Sequence, residues 1–589
     1  MAEDIRLSVV GDGGGRRKRG GKPPKRGFGK YIVMSLLLIG IVCVGVYMAP
    51  SFQQMDWVSY HEAYSKDAPV VVLNDAAQPP EVKPVVQDGV LYLPVGFVRE
   101  AIDSTLFWDG QANRLTVTTP TRLIQMRTDE LTYYVNNEKL SLPLSALQVD
   151  GEAYMPSGLL MDLYHVDIVL HEETGMATVD DLSVSRQLGT ANEKAVLRFE
   201  PDAKSPILRR LKADAPLVLY AEADGWWHVR TADGLLGYIH APKVTATEIE
   251  EGTAAPQSES VSPPEIASGG KITLLWDQIY NMTASTNAAR RVAYPGLDVI
   301  SPTWFSFDFD AMNGDIISLA DQGYVNWAHA NGIQVWALFT DDFRQSVARD
   351  ILSDTNKREH VVHQLLALAA TYRLDGINID FENVKLADVA HYHQFLRELA
   401  PLLRQQGVVL SVDMYVPMPY SMYYDRAEVA RVADYVIVMA YDEHNADSVE
   451  AGPVASIGFV KNGITGTLAE VDESQLILGV PFYVRRWKEA ETPEGIELST
   501  EAWSMDRTWK FFADKNAEIV WKDDAGCYYS EYKTVEDGVN VTYSAWLEDE
   551  RSMEERLLLV EEYDLAGVAG WSKGLESDGI WDLMNQYLE

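Results

Sequence analysis

Eight short apolar segments alternate with helical segments after residue 270, and this alternation constrains the fold more than any other feature of the chain. The helical segments include His360–Tyr372 and Val389–Gln405. Strands separated by helices pair in parallel, so the pattern predicts a (β/α)8 barrel over residues 270–589, with a doubly wound sheet as the alternative. The predicted strands are Ile272–Trp276, Val299–Phe305, Gln334–Phe339, Gly376–Asp380, Val408–Met414, Tyr435–Met439, Leu476–Val480 and Gly567–Trp571.

One segment, from about residue 484 to residue 546, interrupts this alternation between the seventh and eighth predicted strands. It contains aromatic, strand-like pieces and lacks the rhythm of strand and helix found elsewhere. We therefore predict a small α+β insertion at this point of the barrel.

The fourth strand carries polar residues in alternate positions, in the sequence Asp375-Gly376-Ile377-Asn378-Ile379-Asp380-Phe381-Glu382. Alternate side chains of a strand point to the same face, so Asn378, Asp380 and Glu382 share one face. Burial of unpaired carboxylates is costly, and a core strand normally avoids it. A catalytic cleft explains the pattern because neighbouring carboxyl groups there have their pKa values pushed apart. An exposed or salt-bridged edge strand is the alternative.

Other predicted strands end in aromatic and acidic residues. The sixth strand leads into Met439-Ala440-Tyr441-Asp442, and the eighth ends in Trp571. The second strand carries Trp304, and the fifth leads into Tyr415. Catalytic groups of such barrels lie at the carboxyl ends of the strands, where aromatic faces can stack on sugar rings and carboxyl groups can transfer protons. The sequence therefore predicts a glycan site on one rim.

These segments resemble the signatures of glycoside hydrolase family 18. Asp375-x-x-Asn378-x-Asp380-x-Glu382 is similar to the family's DxxDxDxE signature, and Met439-Ala440-Tyr441-Asp442 looks like its M-x-Y-D signature. Trp571 matches the tryptophan at the end of strand eight. The resemblance covers roughly residues 270–589. The sequence from Asp375 to Glu382, with small modules upstream, looks most like that of bacterial spore and cell-wall hydrolases that cleave N-acetylglucosamine linkages.

The resemblance implies a retaining mechanism in which the 2-acetamido group of the substrate replaces an enzyme nucleophile. Glu382 would be the general acid and then the base. Asp380 would hold the acetamido N–H and stabilise the oxazolinium intermediate, and Tyr441 would orient the acetamido group. Asn378 and Asp375 complete the predicted catalytic set.

The resemblance also implies substrate contacts around the acid. Trp571 would form the floor of the subsite that holds the reacting sugar. Tyr415, Trp304 and Asp442 are further candidates for contact with the glycan. No cofactor and no metal site are predicted.

Asn378 stands where the family signature has an aspartate. An amide can donate a hydrogen bond but cannot take up charge. We therefore expect Asp380 to stay ionised and to raise the pKa of Glu382, with catalysis retained and the acid limb of its pH dependence altered.

Residues 70–182 contain an internal repeat with an offset of 62 residues. Asp88–Gly96 aligns without gaps on Asp150–Gly158. Each copy predicts a strand, a short helix that begins after a proline, and a hairpin. The repeat resembles the duplicated α+β stalk module named after the N-terminal domain of copper amine oxidases. The resemblance concerns the fold alone, implies no copper ligands, and suggests a scaffold or wall-contact role.

Residues 193–246 predict a small all-β barrel because short strands follow one another at close spacing. The segments Gly225-Trp226-Trp227-His228-Val229-Arg230 and Gly237-Tyr238-Ile239 resemble a bacterial SH3-like domain, a class that often binds cell-wall peptides or polysaccharide. The alternative is that Trp226 and Trp227 merely divide between core and surface. Residues 247–269 are rich in Glu, Ser, Pro, Ala and Gly and predict a flexible linker.

The N-terminal 49 residues predict a membrane anchor. Residues 1–30 form a basic tail, and residues 31–49 then provide 19 positions without a charge, enough to span a bilayer as a helix. The basic flank predicts a cytoplasmic N-terminus, with residues 50–69 as a spacer and the body outside a Gram-positive-type cell. A cleaved signal peptide is the alternative for the apolar stretch, and nucleic-acid binding is the alternative for the tail.

The charge distribution limits the partners of the body. The net charge is -37, and because residues 1–30 carry +6, the remainder carries -43. Such acidity argues against nucleic acid as a partner. The two cysteines, Cys43 and Cys527, predict no intrachain disulfide framework.

The combined prediction is a membrane-anchored, extracellular glycosidase that acts on β-1,4-linked N-acetylglucosamine in peptidoglycan or chitin-like glycans. A non-catalytic glycan-binding wall scaffold or sensor is the rival hypothesis, and a pure envelope-assembly protein is a further one. The presence of both Glu382 and Asp380 favours the enzyme.

Overall fold

The computed structural model of the protein describes residues 34–43, 53–55, 57–64, 69–128, 130–142, 144–254 and 270–588. The described residues fall into two compact units, and each unit combines segments that are distant in sequence. One unit lies within Met1–Glu81 and Asp167–Thr253, and the other lies within Val82–Val166 and Ala254–Glu589. The predicted domain boundaries themselves stay predictions.

The chain between residues 57 and 250 is mostly β-structure. Its helices and strands, in chain order, are α1 (Trp57–Tyr64), β1 (Val70–Leu73), β2 (Ala76–Ala77), β3 (Val85–Gln87), β4 (Val90–Pro94), α2 (Val95–Ala101), β5 (Phe107–Asp109), β6 (Arg114–Thr118), β7 (Leu123–Arg127), β8 (Thr132–Val135), β9 (Glu138–Ser141), β10 (Leu147–Val149), β11 (Glu152–Pro156), α3 (Ser157–Leu163), β12 (Val166–His171), β13 (Met176–Asp181), β14 (Arg186–Ala191), β15 (Val196–Arg198), β16 (Ile207–Arg210), β17 (Pro216–Ala223), β18 (Trp226–Thr231), β19 (Leu236–His240) and β20 (Val244–Glu250).

The internal repeat is organised around the pair β4 and β11. These strands run antiparallel with Leu93 opposite Met155, its equivalent in the second copy. In each copy a proline, Pro94 or Pro156, immediately precedes the short helix. Proline suits a helix start because its missing N–H is not needed there and its φ is already close to the helical value. The predicted strand and proline-started helix are thus confirmed in both copies.

Strands β14–β20 form one seven-stranded sheet in the order β16-β15-β19-β18-β17-β14-β20. Every pairing recorded within it is antiparallel. Val229 and Ile239 point into its core, Trp227 packs against that core, and Trp226 meets the ring of His240 edge-on at 5.4 Å. The predicted all-β SH3-like module is confirmed, and its two tryptophans are both partly buried.

A short helix covers residues 34–43, inside the predicted span of residues 31–49. The rest of that span lies outside the described residues. Within the described part of the chain, no helix has the length and apolar character needed to cross a membrane.

The second half of the chain forms the predicted barrel. Strand β21 pairs in parallel with both β22 and β34, which closes the eight parallel strands into a ring. All eight predicted strands are confirmed, with ends shifted by at most two residues. The elements are β21 (Ile272–Asp277), α4 (Met282–Thr286), β22 (Val299–Phe307), β23 (Ile316–Ser318), α5 (Gln322–Ala330), β24 (Gln334–Thr340), α6 (Thr355–Tyr372), β25 (Gly376–Asp380), α7 (Val389–Gln405), β26 (Val409–Tyr415), α8 (Arg426–Ala430), β27 (Tyr435–Met439), α9 (Ile457–Leu468), β28 (Leu476–Pro481), β29 (Tyr483–Thr492), β30 (Gly495–Ser504), α10 (Met505–Asp514), β31 (Ile519–Lys522), β32 (Cys527–Glu536), β33 (Val539–Leu547), α11 (Glu550–Glu562), β34 (Gly567–Trp571) and α12 (Ile580–Leu588).

Two apolar layers position the polar face of β25. Leu274, Trp276 and Leu338 belong to the core inside the ring of strands. Ile377 and Ile379 belong instead to the core between the strands and the helices. Because side chains alternate along a strand, Asn378 and Asp380 point into the barrel.

The predicted insertion is also confirmed. Strands β29–β33 form an antiparallel sheet in the order β30-β29-β33-β32-β31, and helix α10 packs against it. Val484 and Phe512 contribute to a separate small core within this insertion.

The sheet of strands β5–β9 packs on helices α6 and α7 of the barrel, within the same compact unit. Leu123 of β7 is part of the outer barrel core, and the Arg358 guanidinium lies 4.9 Å from the centre of the Phe107 ring. Arg404 donates to the carbonyl of Pro120 over 3.0 Å. The sequence did not predict this packing.

Candidate active site

Asn378 lies at the centre of a buried hydrogen-bond network inside the barrel. Its Oδ1 accepts from Trp276 Nε1 at 2.9 Å and from Ser301 Oγ at 3.2 Å. Its Nδ2 donates to Asp413 Oδ1 at 2.8 Å. Asn378, Trp276 and Ser301 are all fully buried. Two donors on one side and a carboxyl group on the other therefore fix the orientation of the amide.

Asp380 and Asp413 lie in the barrel close to Glu382, and both are buried. Burial, and then the carboxyl groups of Glu382 and Asp413, raise the pKa of Asp380 well above its ordinary value. Burial is also the main cause that raises the pKa of Asp413. These causes favour the protonated form of Asp380 more than in an exposed carboxyl group, and the expectation that Asp380 stays ionised stays a prediction.

One of the two carboxyl oxygens of Asp380 lacks a hydrogen-bond partner among the described residues. This oxygen, Oδ1, is buried. A buried carboxyl oxygen without a partner is energetically costly and is uncommon outside functional sites. This oxygen is therefore available to accept from a donor that enters the cleft.

Glu382 lies two positions after the end of β25 and is partly exposed. Burial, with contributions from Asp341 and Asp442, raises the pKa of Glu382 to about 7, although a hydrogen bond with Tyr415 opposes the shift. The raised pKa was expected, but its main cause is burial and not an ionised Asp380. Glu382 is consequently a protonated acid at mildly acidic pH.

Asp341 is a member of the cluster that the sequence analysis missed. It follows β24, is 1% exposed, and accepts from the backbone N–H groups of Glu382 at 3.3 Å and Asn383 at 3.4 Å. On the other side, Tyr424 donates its hydroxyl to the Glu382 carbonyl at 2.9 Å. The backbone that carries the acid is therefore held by side chains from two neighbouring parts of the barrel.

Aromatic rings line the mouth of the barrel beside these carboxyl groups. Trp276 meets Tyr441 edge-on at 6.5 Å and Trp571 at 5.7 Å. Tyr441 and Trp571 are both partly buried. Burial and the carboxyl groups of Asp413, Asp380 and Glu382 raise the pKa of Tyr441 well above its ordinary value, so its hydroxyl stays a hydrogen-bond donor. The predicted neighbourhood of Tyr441 and Trp571 is present.

Asp442 lies at the outer edge of the cleft and is exposed. Its Oδ1 accepts from the Tyr483 hydroxyl at 2.5 Å and from Arg485 at 3.1 Å. Tyr415, at the end of β26, points to the acid and hydrogen-bonds with Glu382. Both residues occupy positions compatible with substrate contact, and their roles stay predictions.

The structure contradicts two of the predicted site residues. Trp304 is 1% exposed and packs edge-on against Tyr324 at 5.3 Å in the outer core, so it cannot stack on a glycan. Asp375 precedes β25, at the end of the barrel opposite to Glu382. There its Oδ2 accepts from the backbone N–H of Val335 and contacts His329 Nε2, both at 2.8 Å. Asp375 is a structural residue of the strand start.

Asp413 could have been found from the sequence. It lies two residues before Tyr415 on the predicted fifth strand, and residues spaced by two share a face. Asp341 gave a weaker signal, an acidic residue one position after a strand end. Among the described residues, no three His, Cys, Asp or Glu side chains are placed to hold a metal ion.

Comparison with known families agrees with this geometry. The family model of glycosyl hydrolases family 18 matches residues 348–576, which contain Asp380, Glu382, Tyr441 and Trp571. The chain carries a glycosyl hydrolase family 18 domain and is a glycoside hydrolase. Residues 72–179 match the copper amine oxidase N-terminal domain, and residues 191–245 match the bacterial SH3 domain.

Three of the proteins to which the chain is similar come from Bacillus subtilis. The sporulation glycosylase YdhD of Bacillus subtilis is 28% identical over 370 residues, covering 58% of this chain and 86% of the relative. The uncharacterized glycosylase YvbX of Bacillus subtilis is 26% identical over 311 residues, covering 51% and 87%. The cortical fragment-lytic enzyme of Bacillus subtilis is 25% identical over 252 residues, covering 41% and 56%.

Proposed function

We propose that this family 18 hydrolase cleaves β-1,4 linkages of N-acetylglucosamine by a retaining mechanism in which the substrate's acetamido group is the nucleophile. The observation that carries the proposal is that Asp380 and Glu382, at the end of β25, lie on the same face and differ in burial and in hydrogen-bond partners. Glu382 has a pKa of about 7 and can donate a proton, while Asp380 is buried with one oxygen unpartnered. A substrate acetamido N–H is the donor that this oxygen lacks.

Glu382 begins the reaction as the acid. It donates its proton to the glycosidic oxygen as the bond from that oxygen to the anomeric carbon breaks. The acetamido carbonyl oxygen attacks the same carbon from the opposite face and forms an oxazolinium ring. The leaving sugar departs with the proton, and Glu382 is left as a carboxylate.

Glu382 then acts as the base. It takes a proton from a water molecule, whose oxygen attacks the anomeric carbon and reopens the oxazolinium ring. Two inversions at one carbon give overall retention of configuration. Glu382 is protonated again at the end, so the cycle consumes only water.

Asp380 supports the charged intermediate. The oxazolinium cation places positive charge beside this carboxyl group, and an opposite charge favours the ionised form. The pKa of Asp380 is raised in the ligand-free site, so its ionisation is linked to the formation of the intermediate. The Tyr441 hydroxyl, which stays protonated, can donate to the acetamido group and hold it in position.

The mechanism is tested with the full chain and 4-methylumbelliferyl chitobioside. We expect the wild type to release 4-methylumbelliferone and Glu382→Gln to release it at least about 10³-fold more slowly. The first sugar product, followed by NMR, should be the β-anomer. Asp375→Asn is the matched control, because it alters the same signature at the opposite end of the strand, and it should keep nearly full activity. Equal release by wild type and Glu382→Gln, or an α-anomeric first product, would reject the mechanism.

Peptidoglycan is the polymer that we propose as substrate. The support is the relationship to proteins named for sporulation and for lysis of cortical fragments.

We also propose that residues 31–49 anchor the protein in the cell membrane with the body outside. The support is the 19 uncharged positions and their basic flank. Protease treatment of intact protoplasts tests the topology, since digestion of the body with retention of a membrane-bound N-terminal fragment is expected. A body protected from protease would contradict it.

A further inference from the structure

A cavity of about 620 Å³ lies between strands β6–β8 and helix α6, away from the catalytic carboxyl groups. Its floor is one face of the β6–β8 sheet. Its wall is the first half of α6, where Glu359 and His363 face the cavity. All of these elements belong to the same compact unit. None of the residues in the active-site network lines this cavity.

The first row of its floor places two arginines side by side. Arg114 on β6 lies directly opposite Arg127 on β7. Like charges in this position repel each other. Glu359 neutralises Arg114 over 2.8 Å, whereas Arg127 is exposed and forms no ion pair with any described residue. The Arg127 guanidinium is therefore open to a carboxylate supplied by a ligand, which it can bind through two hydrogen bonds.

The second row has the composition of a sugar site. Gln125 lies opposite both Thr116 and Tyr134 on the neighbouring strands. Gln125 is 6% exposed, and its Nε2 has no hydrogen-bond partner among the described residues. Tyr134 is 41% exposed, so part of its ring is free for stacking. A buried amide without a partner beside an exposed aromatic ring suits an N-acetylated sugar.

The cavity lies toward the catalytic rim of the barrel. Helix α6 leads into β25, the strand that carries Asp380, and it must run back from the carboxyl end of β24 to reach the start of β25. Glu359 and His363 occupy the first half of this helix, nearer the rim at which Glu382 lies. A long glycan bound at the rim can thus extend along the flank of the barrel.

We propose that this cavity is an accessory glycan site that takes an N-acetylated sugar bearing a carboxylate, of the N-acetylmuramic acid type. Arg127 binds the carboxylate, Tyr134 stacks on the pyranose ring, and the Gln125 amide pairs with the acetamido group. The inference rests on the proposed function, because the occupant is a further unit of the same glycan. It goes beyond that function by assigning specificity, since chitin has no carboxylate.

Glycan binding to a variant that cannot cleave the glycan tests the site. The full chain with Glu382→Gln is titrated calorimetrically with chitotetraose and with a tetrasaccharide of alternating N-acetylglucosamine and N-acetylmuramic acid. We expect Arg127→Gln to weaken binding of the acidic tetrasaccharide about tenfold and to leave chitotetraose unaffected, because a charge-assisted pair is lost. Tyr134→Ala should also weaken binding of the acidic tetrasaccharide.

Arg99→Gln is the matched control, since it removes one exposed positive charge on α2, outside the cavity. Equal affinity of the Arg127→Gln and Arg99→Gln proteins for the acidic tetrasaccharide would overturn the proposal. Hydrolysis of 4-methylumbelliferyl chitobioside separates this outcome from a failure of the proposed function. Wild type and Arg127→Gln should cleave that short substrate equally. Failure of the wild type to cleave it would reject the catalytic mechanism and would not bear on the accessory site.

Discussion

Asn378 donates from Nδ2 to Asp413 Oδ1 over 2.8 Å in the interior of the barrel. Trp276 and Ser301 both donate to Asn378 Oδ1, so the amide cannot turn over without losing both bonds. The protein thus places a permanent donor against Asp413 where the family signature has a titratable group. This arrangement lets the inner network keep its hydrogen bonds without an additional proton.

Asn378→Asp should change the pH dependence of catalysis. The new carboxyl group would face Asp413 at hydrogen-bond distance, and two such groups share one proton. When that proton is lost, the added negative charge raises the pKa of Glu382, so the alkaline limb of kcat/KM should move up by about half a pH unit. Asn331→Asp, at an exposed position after α5, is the control for added charge. Identical profiles for wild type and Asn378→Asp would contradict the role of the amide.

The wild-type profile should itself report Glu382. The folded pKa of about 7 lies above the ordinary value of 4.5, so the acid is present below pH 7 and is lost as the pH rises through it. We expect kcat/KM for the chitobioside to fall about tenfold for each pH unit above 7. A decline that begins near pH 5 would show that Glu382 is not the titrating acid.

Asp341→Asn tests the support of the acid. The carboxyl group of Asp341 accepts three backbone N–H groups, those of Phe343, Glu382 and Asn383, and an amide turns a donor toward one of them. We expect kcat to fall about tenfold with little change in KM, because a small displacement of the acid affects the transition state most. The alkaline limb should also move to lower pH, since Asp341 is one cause of the raised pKa of Glu382.

The adjacent Asp342 supplies a control for this substitution. Its side chain is exposed, so Asp342→Asn removes the same charge from the same loop without touching the backbone of Glu382. An equal loss of kcat in both variants would remove Asp341 as a positioning residue.

Asp380→Asn should stabilise the protein while abolishing most activity. A carboxyl group whose folded pKa is raised contributes stability below its ordinary pKa and loses that contribution as the pH rises toward the folded value. The pKa of Asp380 is raised by burial, so this carboxyl group lowers the free energy of unfolding of the wild type at pH 8 but not at pH 4. We expect the variant to melt about 2–5 °C higher at pH 8 and equally at pH 4. A lower melting temperature at pH 8 would contradict the raised pKa.

Two tryptophans should respond in opposite ways. Trp304→Phe should lower the free energy of unfolding by about 1–3 kcal/mol and leave kcat/KM near the wild-type value, because Trp304 is buried in the core. Trp571→Phe should lower kcat/KM about tenfold or more with little loss of stability, since its ring is partly exposed at the barrel mouth. Denaturant unfolding and kinetics on the same samples separate the two effects. Loss of activity in a fully folded Trp304→Phe protein would restore Trp304 as a candidate contact.

The shared face of Asn378, Asp380 and Glu382 could be predicted because alternation along a strand is a local property. The same rule places Trp304 on the face of Ile300, and both lie in the outer core, whereas Val299 belongs to the core inside the ring. Trp304 was predicted as a glycan contact from its position near a strand end, which does not say which face its side chain occupies.

The remaining differences depend on contacts between distant parts of the chain. The predicted strand Gly376–Asp380 already left Asp375 outside it, but the partner of Asp375, the backbone N–H of Val335 on β24, could not be predicted from the sequence. The effect of Asp341 on Glu382 likewise needs the loop after β24 to lie beside the end of β25. Burial of the carboxyl groups, which sets their pKa values, follows from the closure of the whole ring.

The packing of strands β5–β9 on the barrel helices has a consequence for how this enzyme can be inherited or rebuilt. Arg358 is fully buried between Glu398, at 2.9 Å, and the Phe107 ring, and Phe107 precedes the linker by about 140 positions. A gene fusion cut at residue 270 would leave this cation uncovered and remove Leu123 from the core. Exchange of the catalytic unit between proteins therefore requires two breakpoints in the gene, and a single crossover in the linker would transmit a barrel with an exposed flank.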